Sequence, residues 1–113
     1  QPATWHYLFD RESPAMRGAL GACHALEMPF VFGTLDAPTQ DRFAGSGPEA
    51  TRLSAQMLGA WATFARTGSP VVEGADAWPA FDDAARQTMI LGRSCHVTND
   101  PFVLERQAVE AWV

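Results

Sequence analysis

The first strand-like segment, Thr4-Trp5-His6-Tyr7-Leu8-Phe9, carries large side chains on both faces, and this limits the folds open to the chain. Alternate residues of an extended segment share a face, so Trp5, Tyr7 and Phe9 point one way and His6 and Leu8 the other. Pro2 and Asp10 bound the segment. Such a strand suits the centre of a sheet covered above and below. A domain of only 113 residues has difficulty supplying both covers.

The composition is that of a packed protein. Hydrophobic residues make up 47% of the chain and include four tryptophans, enough apolar material to argue against disorder. The formal net charge is −5 and the eight Lys and Arg residues are scattered, which argues against nucleic acid or an anionic membrane surface as partner. No apolar run approaches the roughly 18 residues of a membrane span. Cys23 and Cys95 do not make a disulfide framework; they could form one bridge, but free buried thiols are the preferred reading. The chain opens Gln1-Pro2, without an initiator methionine or a signal peptide, which suggests a piece cut from something longer. The compartment is not legible in it.

Glycines and prolines divide the rest. A polar loop from Arg11 to Gly21 leads to His24, and Asp36 to Gly47 reads as a second loop. Ser46-Gly47-Pro48-Glu49 matches a capping box, with Ser46 as N-cap and Glu49 reaching back to it. The spacing of Leu53, Met57, Ala60, Trp61 and Phe64 predicts a core helix over residues 48–67, closed by Gly68 and prevented from continuing by Pro70. Ser69 to Asp83 reads as a surface excursion pinned by Trp78 and Phe81. Gln87 to Leu91 predicts a short apolar strand ended by Gly92. Asn99 or Asp100 then caps a final helix with Pro101 at its first position, running towards Trp112.

One stretch carries chemistry. Gly21-Ala22-Cys23-His24-Ala25-Leu26-Glu27-Met28-Pro29-Phe30-Val31-Phe32-Gly33 sets a histidine among small residues, with a carboxylate three positions on and an aromatic run beyond. It is similar to the histidine loop of the type-B, cholinesterase-like carboxylesterase family. Trp5 to Asp10 resembles the family's preceding strand, and Ala60-Trp61-Ala62-Thr63-Phe64-Ala65-Arg66-Thr67-Gly68-Ser69-Pro70 closely resembles its Ala-Trp-x-x-Phe-Ala-x-Thr-Gly-x-Pro signature. Trp78-Pro79-Ala80-Phe81-Asp82 resembles its Trp-Pro-x-aromatic box, and Thr88-Met89 falls where the family places its last strand. The blocks keep the family's order and cover nearly all of the chain.

The resemblance implies an α/β fold: the C-terminal portion of a single α/β-hydrolase domain over residues 1–113, with about two strands, a long central helix and a C-terminal helix. It implies a serine esterase acting on small carboxylic esters, with His24 as the general base. The residue type fits, since imidazole can accept and return a proton near neutral pH as a serine hydroxyl attacks an ester. In this fold the triad runs serine, acid, histidine along the chain. No Gly-x-Ser-x-Gly and no Gly-Gly run for an oxyanion hole occur here. The chain is therefore expected to supply one member of the triad, to be inactive alone, and to need an N-terminal part bearing the nucleophile and the acid. Cut free, its strands are expected to pair with another copy.

The resemblance gives Glu27 a supporting role near the active centre. One helical turn from His24, it can pair with the imidazole or cap a short helix; a solvated surface glutamate is the other reading. Ala25 departs from the glycine usual in the family, which bears on substrate fit more than on mechanism. Met28, Phe30 and Phe32 are candidates for the pocket wall, with plain core packing as their alternative. Cys23-His24 and Cys95-His96 invite a metal site, but adjacent residues rarely bend onto one ion, so no metal and no cofactor are expected. His6 reads as a core or sheet-edge imidazole and His96 as exposed. A catalytically silent, cholinesterase-like module for protein contact is the alternative to the esterase.

Overall fold

The computed structural model describes residues 3–113, so the expectation that Pro2 bounds the first strand lies outside it. One sheet contains β1 (His6–Phe9), β2 (Gln87–Leu91) and β3 (His96–Asn99), ordered β1-β2-β3. β1 and β2 are parallel, with His6 opposite Thr88 and Phe9 opposite Leu91. β3 returns antiparallel to β2, placing Asn99 opposite Gln87 and His96 opposite Ile90. A parallel pair needs a long crossover. Here it holds a tight turn at Ala15–Gly18, short helices α1 (Met28–Val31) and α2 (Gln40–Ala44), and the long helix α3 (Pro48–Thr67). Helix α4 (Val103–Glu110) follows β3.

The core forms where α1 and α3 meet the sheet. Leu53, Met57 and Ala60, at helical spacing on α3, are buried with Leu26 and Phe30 and with Met89 and Leu91 of β2. Ser54 is buried in the same interface and donates its hydroxyl to the Phe30 carbonyl at 3.0 Å, tying α3 to α1. Trp61 and Phe64, expected in the core, sit at its margin: Trp61 is half-buried and Phe64 exposed.

The end of α3 is as the sequence predicts. Gly68 adopts φ +81°, a conformation that favours glycine, and its N–H donates to the Phe64 carbonyl at 2.8 Å. The start differs. Gly47 is the N-cap, no side chain caps the helix, and Glu49 lies 3.5 Å from Arg93 in a surface ion pair. Pro48 already suits the first helical position, having no N–H to satisfy, which leaves Ser46 one residue too early to cap.

Two elements were not foreseen. The loop read over residues 36–47 contains α2, and β3 adds a third strand to the two expected. The final helix also starts later than Pro101. Phe102 takes φ +60° and separates Pro101 from the first helical residue, Val103. The Asp100 carboxylate, instead of capping, accepts two hydrogen bonds from Arg106, at 2.9 and 2.7 Å. The guanidinium holds that carboxyl below its usual range.

The excursion over residues 69–83 is pinned as expected. Trp78 is buried and its indole N–H donates to the His6 carbonyl at 3.0 Å, while the Trp5 indole donates to the Trp78 carbonyl at 3.2 Å. The Phe81 N–H donates to the Thr4 carbonyl at 2.7 Å, and the Phe81 ring stacks on His6. His6 is thus an exposed, stacked imidazole outside the core.

β1 lies at a sheet edge among the described residues. The Asp10 N–H donates to the Leu91 carbonyl, so the even-numbered residues of β1 direct their backbone groups to β2. Those of Tyr7 and Phe9 face the open side. The Cα radius of gyration, 15.1 Å, exceeds the roughly 13 Å of a compact domain of this length. The chain is more open than its size requires.

Candidate active site

His24 is exposed on the turn between the loop over residues 11–21 and α1. Each flank of the turn is anchored. After the histidine, Leu26 is fully buried in the core, and Met28 N–H donates to the Ala25 carbonyl at 3.2 Å. Before it, the Gly21 carbonyl accepts from Ser13 N–H at 2.9 Å. Among the described residues the imidazole has no hydrogen bond or ion pair, so both ring nitrogens are open to a partner.

Ala25 adopts φ +63°. That conformation costs a residue with a Cβ about 1–2 kcal/mol and costs glycine little. The turn forms around the methyl group despite that cost.

Glu27 neither pairs with His24 nor caps a helix with its side chain. It occupies the N-cap position of α1, its backbone carbonyl accepts from Phe30 and Val31, and its side chain makes no cap hydrogen bond. It is half-buried beside Tyr7 and shares a shallow concavity with Tyr7, Met28, Phe32, Leu58 and Trp61. The Tyr7 phenol is pushed up from its ordinary value, first by burial and then by the Glu27 carboxylate. The neutral hydroxyl therefore persists beside the carboxylate in alkaline solution.

The pocket-wall candidates separate. Met28 and Phe32 are exposed in that concavity, at 49% and 64%. Phe30 is fully buried on the opposite side of α1, with its ring centroid 5.3 Å from that of Phe9 and the Arg11 guanidinium 5.7 Å above it. It belongs to the core, because two residues along a helix turn the side chain by about 200° and so send Phe30 and Phe32 to opposite sides.

Cys23 and Cys95 are free thiols, but half-buried rather than buried as expected. His96 is exposed as expected, but on β3 and not before a helix cap. Among the described residues no His, Cys, Asp and Glu group is arranged to hold a metal ion, and no helix is long and apolar enough to cross a membrane. Sequence reasoning missed Ser13, a polar residue only 1% exposed, and Tyr7 as the neighbour of Glu27. A serine between Glu12 and Pro14 looks like any loop serine, and only the packed structure distinguishes it.

The model of the carboxylesterase family matches residues 1–111. The chain belongs to that family. It is 41% identical over 103 residues to the para-nitrobenzyl esterase of Bacillus subtilis (strain 168), an alignment covering 91% of this chain and 21% of that protein. It is 43% identical over 83 residues to the phenmedipham hydrolase of Pseudarthrobacter oxydans, covering 70% of this chain and 17% of the relative. Among solved structures, a para-nitrobenzyl esterase superposes with a TM-score of 0.80 at 39% identity, over 93% of this chain and 21% of that one. A Geobacillus stearothermophilus carboxylesterase does so with a TM-score of 0.78 at 38% identity, over 94% and 22%. The chain thus has part of the α/β-hydrolase fold of these esterases, and it spans about a fifth of the length of the relatives it matches.

Proposed function

We propose that this chain is the C-terminal part of a serine carboxylesterase, in which His24 is the general base that hydrolyses small carboxylic esters. The observation that carries the reading is an exposed imidazole, free of partners among the described residues, on a turn anchored at both ends, in a chain whose relatives are named as ester hydrolases. In the reaction, His24 takes the proton of a serine hydroxyl as the oxygen attacks the ester carbonyl. It then gives that proton to the leaving alcohol, and the cycle repeats with water on the acyl-enzyme. A carboxylate on the second ring nitrogen fixes the tautomer. Serine and carboxylate both come from the N-terminal part. Glu27 supports the turn from its place beside Tyr7, and Met28 and Phe32 line the wall of the acyl pocket.

The 113-residue chain alone should turn over a 4-nitrophenyl ester no faster than free imidazole, because its sequence has neither a Gly-x-Ser-x-Gly nucleophile motif nor a Gly-Gly run for oxyanion donors. The longer protein should hydrolyse the ester and lose activity to a serine-directed phosphonate. Phosphonate-sensitive turnover by the 113-residue chain alone would place a nucleophile within it and end the proposal.

The same reading assigns a cover to the open edge of β1 and to the apolar groups exposed near it, Tyr7, Leu58 and Phe64. The N-terminal part packs there. Without it the chain exposes that area at a cost of roughly 25 cal/mol per Å², and pairing with a second copy offsets the cost. Light scattering at micromolar concentration should show oligomers of the isolated chain; a cooperatively melting monomer would mean that the chain is a self-sufficient domain.

A further inference from the structure

Nothing among the described residues holds the His24 ring directly, so its position is set by the backbone that leads to it. On the near side that backbone is governed by one side chain. Ser13 follows β1 and is 1% exposed, in a segment that is otherwise polar and half-open. Its hydroxyl donates to the Phe43 carbonyl and accepts from the Ala15 N–H at 3.1 Å, while its own N–H donates to the Gly21 carbonyl at 2.9 Å. Three pieces of chain meet at this serine: the tight turn at Ala15–Gly18, the last turn of α2, and the entry to the His24 turn.

Each bond answers a need of the backbone. Phe43 and Ala44 end α2, where carbonyls lack helical partners. Ser13 serves the first, and the Arg11 Nε–H serves the second at 3.5 Å. The turn at Ala15–Gly18 runs through left-handed angles at Met16 and Arg17, φ +50° and +57°, which non-glycine residues adopt only when their surroundings impose them. The Ala15 N–H bond to the Ser13 hydroxyl helps to impose them. The turn then closes through Gly21 N–H on the Gly18 carbonyl at 3.0 Å, three residues before His24.

We infer that Ser13 is a positioning residue for His24: its buried hydroxyl locks α2 and the strained turn together, and its N–H passes that fixed geometry to Gly21 and so to the imidazole. The inference rests on the proposed role of His24 as general base. Proton transfer from a serine hydroxyl requires hydrogen-bond contact, and a displacement of about 1 Å costs up to about 10²-fold in rate.

The test is a double-mutant cycle in the longer protein. Ser13→Ala should lower kcat on a 4-nitrophenyl ester by about 10- to 100-fold with KM within about twofold, because substrate binding does not pass through the turn. In a His24→Ala background the same substitution should change the residual rate by less than about twofold, since no base is left to misplace. Ile90→Ala, buried on β2 and outside the core cluster that holds Leu26, is the control that lowers the melting temperature while leaving kcat within about twofold. If Ser13→Ala does not fold, Ser13→Cys, of similar size with a weaker donor, carries the same readouts. An unchanged kcat, or an equal loss in both backgrounds, overturns the inference and leaves Ser13 a structural residue. Should His24→Ala itself stay active, the reading of His24 fails first and this one with it.

Discussion

Replacing His24 with alanine in the longer protein is expected to lower kcat by about 10³-fold or more while leaving the fold intact. The two halves of that expectation have separate grounds. The rate loss follows from chemistry: without a base beside it, a serine hydroxyl is a weak nucleophile at neutral pH, and triads that lose one member keep only what binding and oxyanion donors supply. The intact fold follows from geometry. The His24 side chain is exposed and takes no part in the hydrogen bonds of its turn, which run through the backbones of Gly21, Cys23, Ala25 and Leu26. Surface substitutions of this kind move stability by about 0.5 kcal/mol or less. Steady-state kinetics on a 4-nitrophenyl ester beside a denaturant melt reads both. A variant that kept more than about a tenth of its activity would assign the base elsewhere, and one that unfolded would make His24 structural.

What the sequence disclosed and what it withheld divide along physical lines. The body of α3 and the whole of β2 were legible because a 3.6-residue apolar period and a short apolar run each leave one reading. Gly68 was legible because little else tolerates φ +81° at a helix end. Interactions between distant residues were not legible. Ser46 and Glu49 satisfy a capping pattern locally, but Arg93, more than forty positions away, draws off Glu49. Asp100 before a proline looks like a cap, but Arg106 captures its carboxylate. β3 is four residues long and shows its strand character mainly through pairing with β2.

The site shows the same division. His24 stands in a local motif and could be singled out by reading along the chain. The Glu27 environment could not, because Tyr7 reaches it from another element, across the crossover. The left-handed angle at Ala25 was also hidden, since alanine does not announce a positive φ as glycine does. The burial of Ser13 depends on α2, an element that the loop-like composition of residues 36–47 concealed.

Phe30 is where core and pocket readings give different numbers, and the expected result is a loss of about 3–5 kcal/mol for Phe30→Ala. The ring has no exposed surface, meets Phe9 from β1 with centroids 5.3 Å apart, and lies under the Arg11 guanidinium. Its carbonyl holds the buried Ser54 hydroxyl of α3. Truncation therefore opens a void where β1, α1 and α3 converge, and the surrounding backbone cannot close it without giving up that hydrogen bond. A domain is stable by only about 5–15 kcal/mol, so the loss is a large share of the total and should appear as a shifted midpoint in denaturant melts of the longer protein. KM for esters should follow Phe32 and Met28, which face the concavity, and should not follow Phe30. A loss below about 1 kcal/mol together with a raised KM would move Phe30 out of the core and into the pocket wall.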